Sequence, residues 1–383
     1  MSMLLNDEQR MLRDSAQQFL ADRAPVAALR RLRSDADPRG YDPALWREVV
    51  DLGWTAAVFT EDCGGLGVGF KGLGAIFEQM GRNLSVLPLL SSIVLGGGLL
   101  VRAGSDAQRG AWLPRIIAGD VRFALALDET ARHHPDAVRT RARREGEGWV
   151  LDGEKWFVLD GAGADVLIVV ARTGDANTAP HGGAKGLSLF LVDGSADGVQ
   201  VQPSRMADSR NAARLKLNSV RVGADALIGG EHRGFESLDA VLDQARVCLA
   251  AESLGVLRES FQRTVAYLKE RVQFDVPIGS FQALQHRAAR LYSEIEMLAS
   301  CVAAALAAQD EASADAALLS SLAKARASDL SEKLLNEAVQ LHGGIGVTDE
   351  LDIGLFLKRG RALQQSFGDG VFHRDRYARL KGF

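Results

Sequence analysis

The residues best suited to chemistry lie in one run, Arg271-Val272-Gln273-Phe274-Asp275-Val276-Pro277-Ile278-Gly279-Ser280-Phe281-Gln282, continuing to His286. An arginine guanidinium is a planar fork that matches phosphate oxygens. At the end of a helical pattern its charge also suits the negative end of the helix dipole. Pro277 lacks an amide donor and Gly279 is a poor helix former, so the run predicts helix, sharp turn, helix, with Phe274 one turn beyond Arg271. Read alone, it is either a phosphate- and ring-binding turn or a surface arginine beside a core aromatic. A second run, Gln340-Leu341-His342-Gly343-Gly344-Ile345-Gly346, also follows a helical pattern, and a structural hydrogen bond is the expected role of His342. His133 and His134 are adjacent, which on a strand points them to opposite faces; with no third ligand spacing, no metal site is expected. Cys63, Cys248 and Cys301 form no metal-ligand or disulfide pattern and read as buried thiols.

Helical patterns dominate the chain up to about Gly119. Asn6 with Gln9 reads as a capping box, and Asp42-Pro43 as a helix start with proline at the first position. Glu61 to Gly67 is a glycine loop without the Gly-Lys-Ser/Thr ending of a phosphate loop. The texture then changes to short strands: Arg122 to Leu127, Trp149 to Glu154 entering a turn, the continuous apolar run Val166 to Ala171, Leu187 to Val192, Val199 to Val201, and Leu215 to Val222. Their spacing predicts a small β-barrel or sandwich. Thr173 to Gly186 reads as an exposed polar loop. From about Gly234 the pattern is helical again, and the seam Phe281, Leu284, Ala288, Leu291, Ile295, Leu298, Val302 alternates three and four as bundle packing requires. The expected fold is mainly α with a central β domain: residues 1–120 a helical domain, 121–232 a β-barrel, 233–383 a four-helix bundle.

At 383 residues, 47% apolar and 25% charged, the chain has the composition of a soluble globular protein. A net charge of −4 gives no pull towards nucleic acid or anionic membrane. No signal peptide and no run of about 18 apolar residues is visible, so a cytoplasmic location is expected.

Arg271-x-x-Phe274, Pro277-Ile278-Gly279-x-Phe281-Gln282 and Gln340-Leu341-His342-Gly343-Gly344 together resemble the flavin clamp of the acyl-CoA dehydrogenase family. The resemblance runs from Leu5 to about Asp375, and the order helical, β, helical matches that family's architecture. It implies FAD as cofactor and an acyl-CoA thioester as substrate. It further implies that Arg271, Phe274, Gln282, Gln340, Gly343 and Gly344 grip the pyrophosphate and adenosine of an FAD held mainly by a neighbouring subunit. In the family a carboxylate base takes the α-proton while flavin N5 takes hydride from the β-carbon. Asp243 and Arg246 match a helix lining the CoA channel; Arg246 meets either a CoA group or Asp243 at i+3.

The chain departs from the family at the base and at the flavin-facing strands. Phe367 stands where the usual glutamate precedes Gly368, and Ala245 stands at the alternative position before Arg246. Asp369 is a candidate displaced base or a helix cap. Leu127 to Asp136 replaces the family's Thr-Glu-Pro-Gly-Ala-Gly-Ser-Asp. Leu159 replaces a threonine whose hydroxyl would meet N5, a bond a carbon branch does not supply. Phe157 keeps a ring for stacking. An intact clamp beside an eroded base and pocket resembles the small, partner-dependent subunit of a two-component acyl-CoA dehydrogenase of the pimeloyl-CoA or steroid side-chain type. This implies a second subunit in an α2β2 heterotetramer; a self-sufficient homotetramer with an atypical base is the alternative.

Overall fold

A computed structural model describes residues 2–35, 37, 39–174 and 183–383. The helices are α1 (Asp7–Arg23), α2 (Val26–Asp35), α3 (Pro43–Asp51), α4 (Gly69–Asn83), a π-helix (Leu90–Gly97), α5 (Gly98–Ala103) and α6 (Asp106–Ile117). Strands β1 (Phe123–Ala126), β2 (Arg141–Glu145), β3 (Gly148–Leu159), β4 (Val166–Arg172), β5 (Leu187–Asp193), β6 (Val199–Arg205), β7 (Asn211–Val222) and β8 (Leu227–Ile228) follow. The rest is α7 (Gly234–Glu270), a hairpin of β9 (Val272–Gln273) and β10 (Val276–Pro277), α8 (Gln282–Asp310), α9 (Ala316–His342), α10 (Ile353–Gln365) and α11 (Gly370–Leu380). Both expected starts are present: Asn6 and Gln9 form a capping box, and Asp42 caps α3 with Pro43 first in the helix. Of the three thiols expected to be buried, only Cys248 is; Cys63 and Cys301 are half-buried. Most of the loop expected at Thr173 to Gly186 lies outside the described residues.

Contacts group the chain into two compact units, one of residues 1–31, 68–85 and 246–383, the other of residues 32–67 and 86–245. In the first, α9 packs on α8, α10 and α11, and α1 and α8 pack on α4. Of the expected seam, Leu291, Ile295, Leu298 and Val302 are buried, whereas Leu284 and Ala288 are half-buried and Phe281 is exposed, so the core-facing stripe of α8 begins only at Leu291. α4 and α7 meet at glycines: a Cβ on Gly255 would lie 1.9 Å from Glu78 O, and one on Gly81 2.0 Å from Glu252 O. Glu252 and Arg359 form a buried bidentate ion pair at 2.6 and 2.8 Å between α7 and α10. By length and composition alone α8 is apolar enough to cross a membrane; here it lies in the bundle.

In the second unit the strands run β6-β7-β3-β2-β4-β5-β8, with β1 parallel to β4. This corrects the expected barrel: the sheet is open. Its outer strand β6 is largely exposed and carries Pro203, which has no donor for a further neighbour, and the other edge, β8, is two residues long. The halves meet through a single pairing, Arg141 with Arg172. Trp149 to Glu154 is also not a strand ending in a turn. β3 continues to Leu159 through a register shift at Gly153 (φ 155°), where a Cβ would lie 2.4 Å from Thr140 Oγ1.

Candidate functional site

Arg271 immediately follows α7, its backbone N–H donating to Tyr267 O at 2.8 Å. The sharp turn beyond it is a β-hairpin. Gln273 pairs with Val276, and Phe274 and Asp275 form its two-residue loop at φ 55° and 63°. Positive φ at both loop positions is the type I′ geometry that Asn-Gly ordinarily supplies, so the sequence carried no hairpin signal. Ile278 N–H closes the hairpin on Arg271 O at 2.8 Å. A Cβ on Gly279 would lie 2.8 Å from Leu268 O, so only glycine lets the chain cross the last turn of α7.

The residues expected to form the clamp are exposed. Phe274 is 86% exposed and meets Phe281 edge-on, with centroids 6.0 Å apart. The left-handed φ of Phe274 belongs to the hairpin turn; its bare ring at the tip of that turn is free to meet a ligand or a neighbouring chain. Arg271, Gln282, Gln340, Gly343 and Gly344 are all exposed. The Arg271 guanidinium has no carboxylate partner among the described residues. Gly343 adopts φ 63°, ψ −142°, and neither it nor Gly344 has an atom near a would-be Cβ, leaving the backbone open to close approach.

A pair of rings that sequence reasoning did not single out joins the two clamp segments. Tyr267, one turn before Arg271, lies 4.5 Å from the ring of His342, which directly precedes Gly343. His342 is buried, and its Nδ1 lies 2.8 Å from Ala338 O, the structural bond expected of it. Burial pushes this imidazole below its ordinary value. The only sequence signal was an aromatic at i−4 from Arg271.

The base positions are buried. Ala245 is inaccessible and Phe367, at φ 52°, is 8% exposed. Asp369 is the N-cap of α11, its Oδ1 accepting Phe372 N–H at 2.8 Å. Arg246 is fully buried and Asp243 nearly so; Arg246 Nε donates to Phe367 O at 3.3 Å. His373 Nε2 lies 3.1 Å from the same carbonyl. Lys324 Nζ donates to Gly368 O at 2.7 Å and Gln364 O at 3.2 Å. The 364–369 turn is thus gripped through its carbonyls by Lys324, Arg246 and His373. Burial, with the Arg246 charge adding to it, pushes Lys324 down to about 7.

In the other unit, the carboxylates of the segment after β1 are occupied internally. Asp128 takes His133 Nδ1 at 2.9 Å and His134 N–H at 3.4 Å. Glu129 takes Lys155 Nζ at 2.8 Å and the backbone N–H groups of Arg139 and Thr140 at 2.6 and 2.9 Å. Burial works to raise the Glu129 carboxyl, but the Lys155 charge and the hydrogen bonds of Lys155 and Thr140 outweigh it and hold it low. Phe157, at φ 50°, is 53% exposed and available for stacking. The outward clamp therefore fits the phosphates and adenine of FAD. The Asp128–His134 segment has its carboxylates already bonded within the chain, and Leu159 on β3 carries no hydroxyl, so neither offers the family's usual flavin contacts.

Three family models of the acyl-CoA dehydrogenases match in order: the N-terminal domain over residues 6–120, the middle domain over 124–220 and the C-terminal domain over 232–380. This chain belongs to the acyl-CoA dehydrogenase family. Acyl-CoA dehydrogenase FadE12 of Mycobacterium tuberculosis is 30% identical over 365 residues, covering 94% of this chain and 92% of the relative. Among solved structures, a point variant of the Tcur3481-Tcur3483 steroid ACAD superposes with a TM-score of 0.87 at 30% identity, covering 99% of this chain and 98% of that one. The ChsE4-ChsE5 complex from Mycobacterium tuberculosis superposes at 0.88 with 25% identity, covering both chains fully. The protein is thus an oxidoreductase of a flavoprotein family whose members bind FAD.

Proposed function

We propose that this chain is the partner-dependent subunit of a heteromeric acyl-CoA dehydrogenase, arranged as α2β2. It lends Arg271, Phe274, Gln282, Gln340, Gly343 and Gly344 to the ADP portion of FAD seated in a larger subunit. That subunit supplies the base and the acyl pocket. When bound, FAD accepts the two electrons removed from the Cα–Cβ bond of the thioester. This chain's part is binding and orientation: Arg271 meets the pyrophosphate, Phe274 offers a ring face, and the bare glycines let the backbone approach. Asp243 and Arg246, both buried, belong to the helix expected to line the CoA channel. The domain limits 1–120, 121–232 and 233–383 and a cytoplasmic location belong to the same reading.

The observation that carries it is the contrast between an exposed clamp and base positions filled by Ala245 and Phe367. The likeness to a steroid ACAD named for two components and to the ChsE4-ChsE5 complex supports it. The cap bond of Asp369 speaks against that residue as a displaced base.

The test is expression of the chain alone and with a candidate large subunit, followed by flavin absorbance and solution mass. The expected result is a colourless protein alone and a yellow heterotetramer on co-expression. A homotetramer purified alone with stoichiometric FAD and acyl-CoA turnover overturns the proposal in favour of a self-sufficient enzyme.

A further inference from the structure

Two glutamines stand one turn apart at the start of α8 and are used differently. Gln282 makes no side-chain hydrogen bond among the described residues, which leaves its amide for a ligand. Gln285 is committed within the chain: its Nε2 donates to Gly279 O at 3.0 Å and to Ser280 O at 3.5 Å. This bond is not a helix cap. A cap side chain accepts from the free N–H groups of the first turn, whereas Gln285 donates back to carbonyls that precede the helix. Phe281, at the N-cap position of α8, supplies no side-chain cap either.

The carbonyls it holds belong to Ile278–Ser280, a single 3-10 turn between the two parts of the proposed clamp, with Arg271 and Phe274 before it and Gln282 after it. Three contacts fix this turn to α7 and the hairpin. Ile278 N–H donates to Arg271 O at 2.8 Å, Ser280 Oγ donates to Pro277 O at 2.8 Å, and Gly279 crosses the last turn of α7 at Leu268 O without room for a Cβ. On the other side, Gln285 ties it to α8, and among the described residues no other side chain of α8 hydrogen-bonds to it. A short connection held from both sides keeps the groups at its two ends in fixed register, which lowers the ordering cost of binding one ligand with both.

We propose that Gln285 is a positioning residue of the clamp: it touches no ligand, and it sets the turn from which the hairpin and Gln282 are presented together. This rests on the reading of those residues as an FAD clamp. The test compares the wild type with Gln285→Met, which keeps the length and removes the donor. Ser293→Ala is the control, an exposed α8 position two turns on whose hydroxyl bonds only Ala289 O. In the chain alone, hydrogen–deuterium exchange of segment 275–284 should speed up about two- to fivefold in Gln285→Met, the worth of one exposed neutral hydrogen bond, with α9 unchanged. In the complex with a co-expressed large subunit, the Kd for FAD should rise by about the same factor while the urea midpoint stays in place. Unchanged exchange in Gln285→Met overturns the proposal. So does faster exchange with wild-type FAD affinity, or a loss of FAD affinity matched by Ser293→Ala or by a lowered urea midpoint. A wild-type complex that takes up no FAD overturns the clamp reading and this role with it, and is told apart because the exchange difference persists.

Discussion

Lys324 is fully buried on α9, and among the described residues its amine donates to two carbonyls, Gly368 O and Gln364 O. Its folded value of about 7 lies well below the roughly 10.4 of an exposed lysine. The sign follows from linkage. Between these values the unfolded chain holds the proton and the folded one does not, so stability rises with pH across the window. The slope approaches about 1.4 kcal/mol per pH unit once Lys324 is neutral in the fold. From pH 7 to about 8.5 the integrated gain is on the order of 1–2 kcal/mol. Above that the buried Cys248 thiol opposes it: burial raises the folded thiol far above its unfolded value, so stability is lost as unfolded thiols ionise. Lys324→Met keeps the volume, removes the proton and leaves both carbonyls without a donor, costing about 1–3 kcal/mol each at most. Urea unfolding of both proteins across this interval should show a rising profile in the wild type and a flatter one in the variant. Parallel profiles would refute the assignment of the slope to Lys324.

Arg271→Ala should lower FAD affinity of the co-expressed complex by about 10- to 100-fold, read by flavin retention on dialysis, with the assembly intact. Tyr267→Ala, which unstacks His342 and frees the two clamp segments from each other, should weaken FAD in the same assay by a smaller factor, while Tyr267→Phe restores it. Asp369→Asn should preserve both the α11 cap and complex turnover, whereas Asp369→Ala should cost about 1 kcal/mol in unfolding experiments; loss of turnover in the asparagine variant would restore Asp369 as a base. Glu129→Ala leaves the buried Lys155 ammonium without its carboxylate and should destabilise by about 3–5 kcal/mol, checked by chemical denaturation.

The sequence by itself determined the order helical, β, helical, because the period of apolar residues changes from 3.6 to 2 and back. It also marked the residues of the proposed clamp, because Arg271, Pro277, Gly279 and the Gly343-Gly344 pair are residue types suited to phosphate contact, chain reversal and close backbone approach. The caps at Asn6 and Asp42 were legible for the same local reason. Other features were decided only in three dimensions. The sheet stays open because its final partners, a proline-bearing β6 and a two-residue β8, do not pair, and strand pairing is non-local. The hairpin at Phe274-Asp275 escaped notice because its left-handed turn is imposed by the flanking structure on residues that do not favour it. The Tyr267–His342 stack, the Glu129–Lys155 pair and the three-sided grip on the 364–369 turn each join residues far apart in the chain. Such pairings follow from burial, which leaves a polar or charged group no partner but the one the fold places beside it.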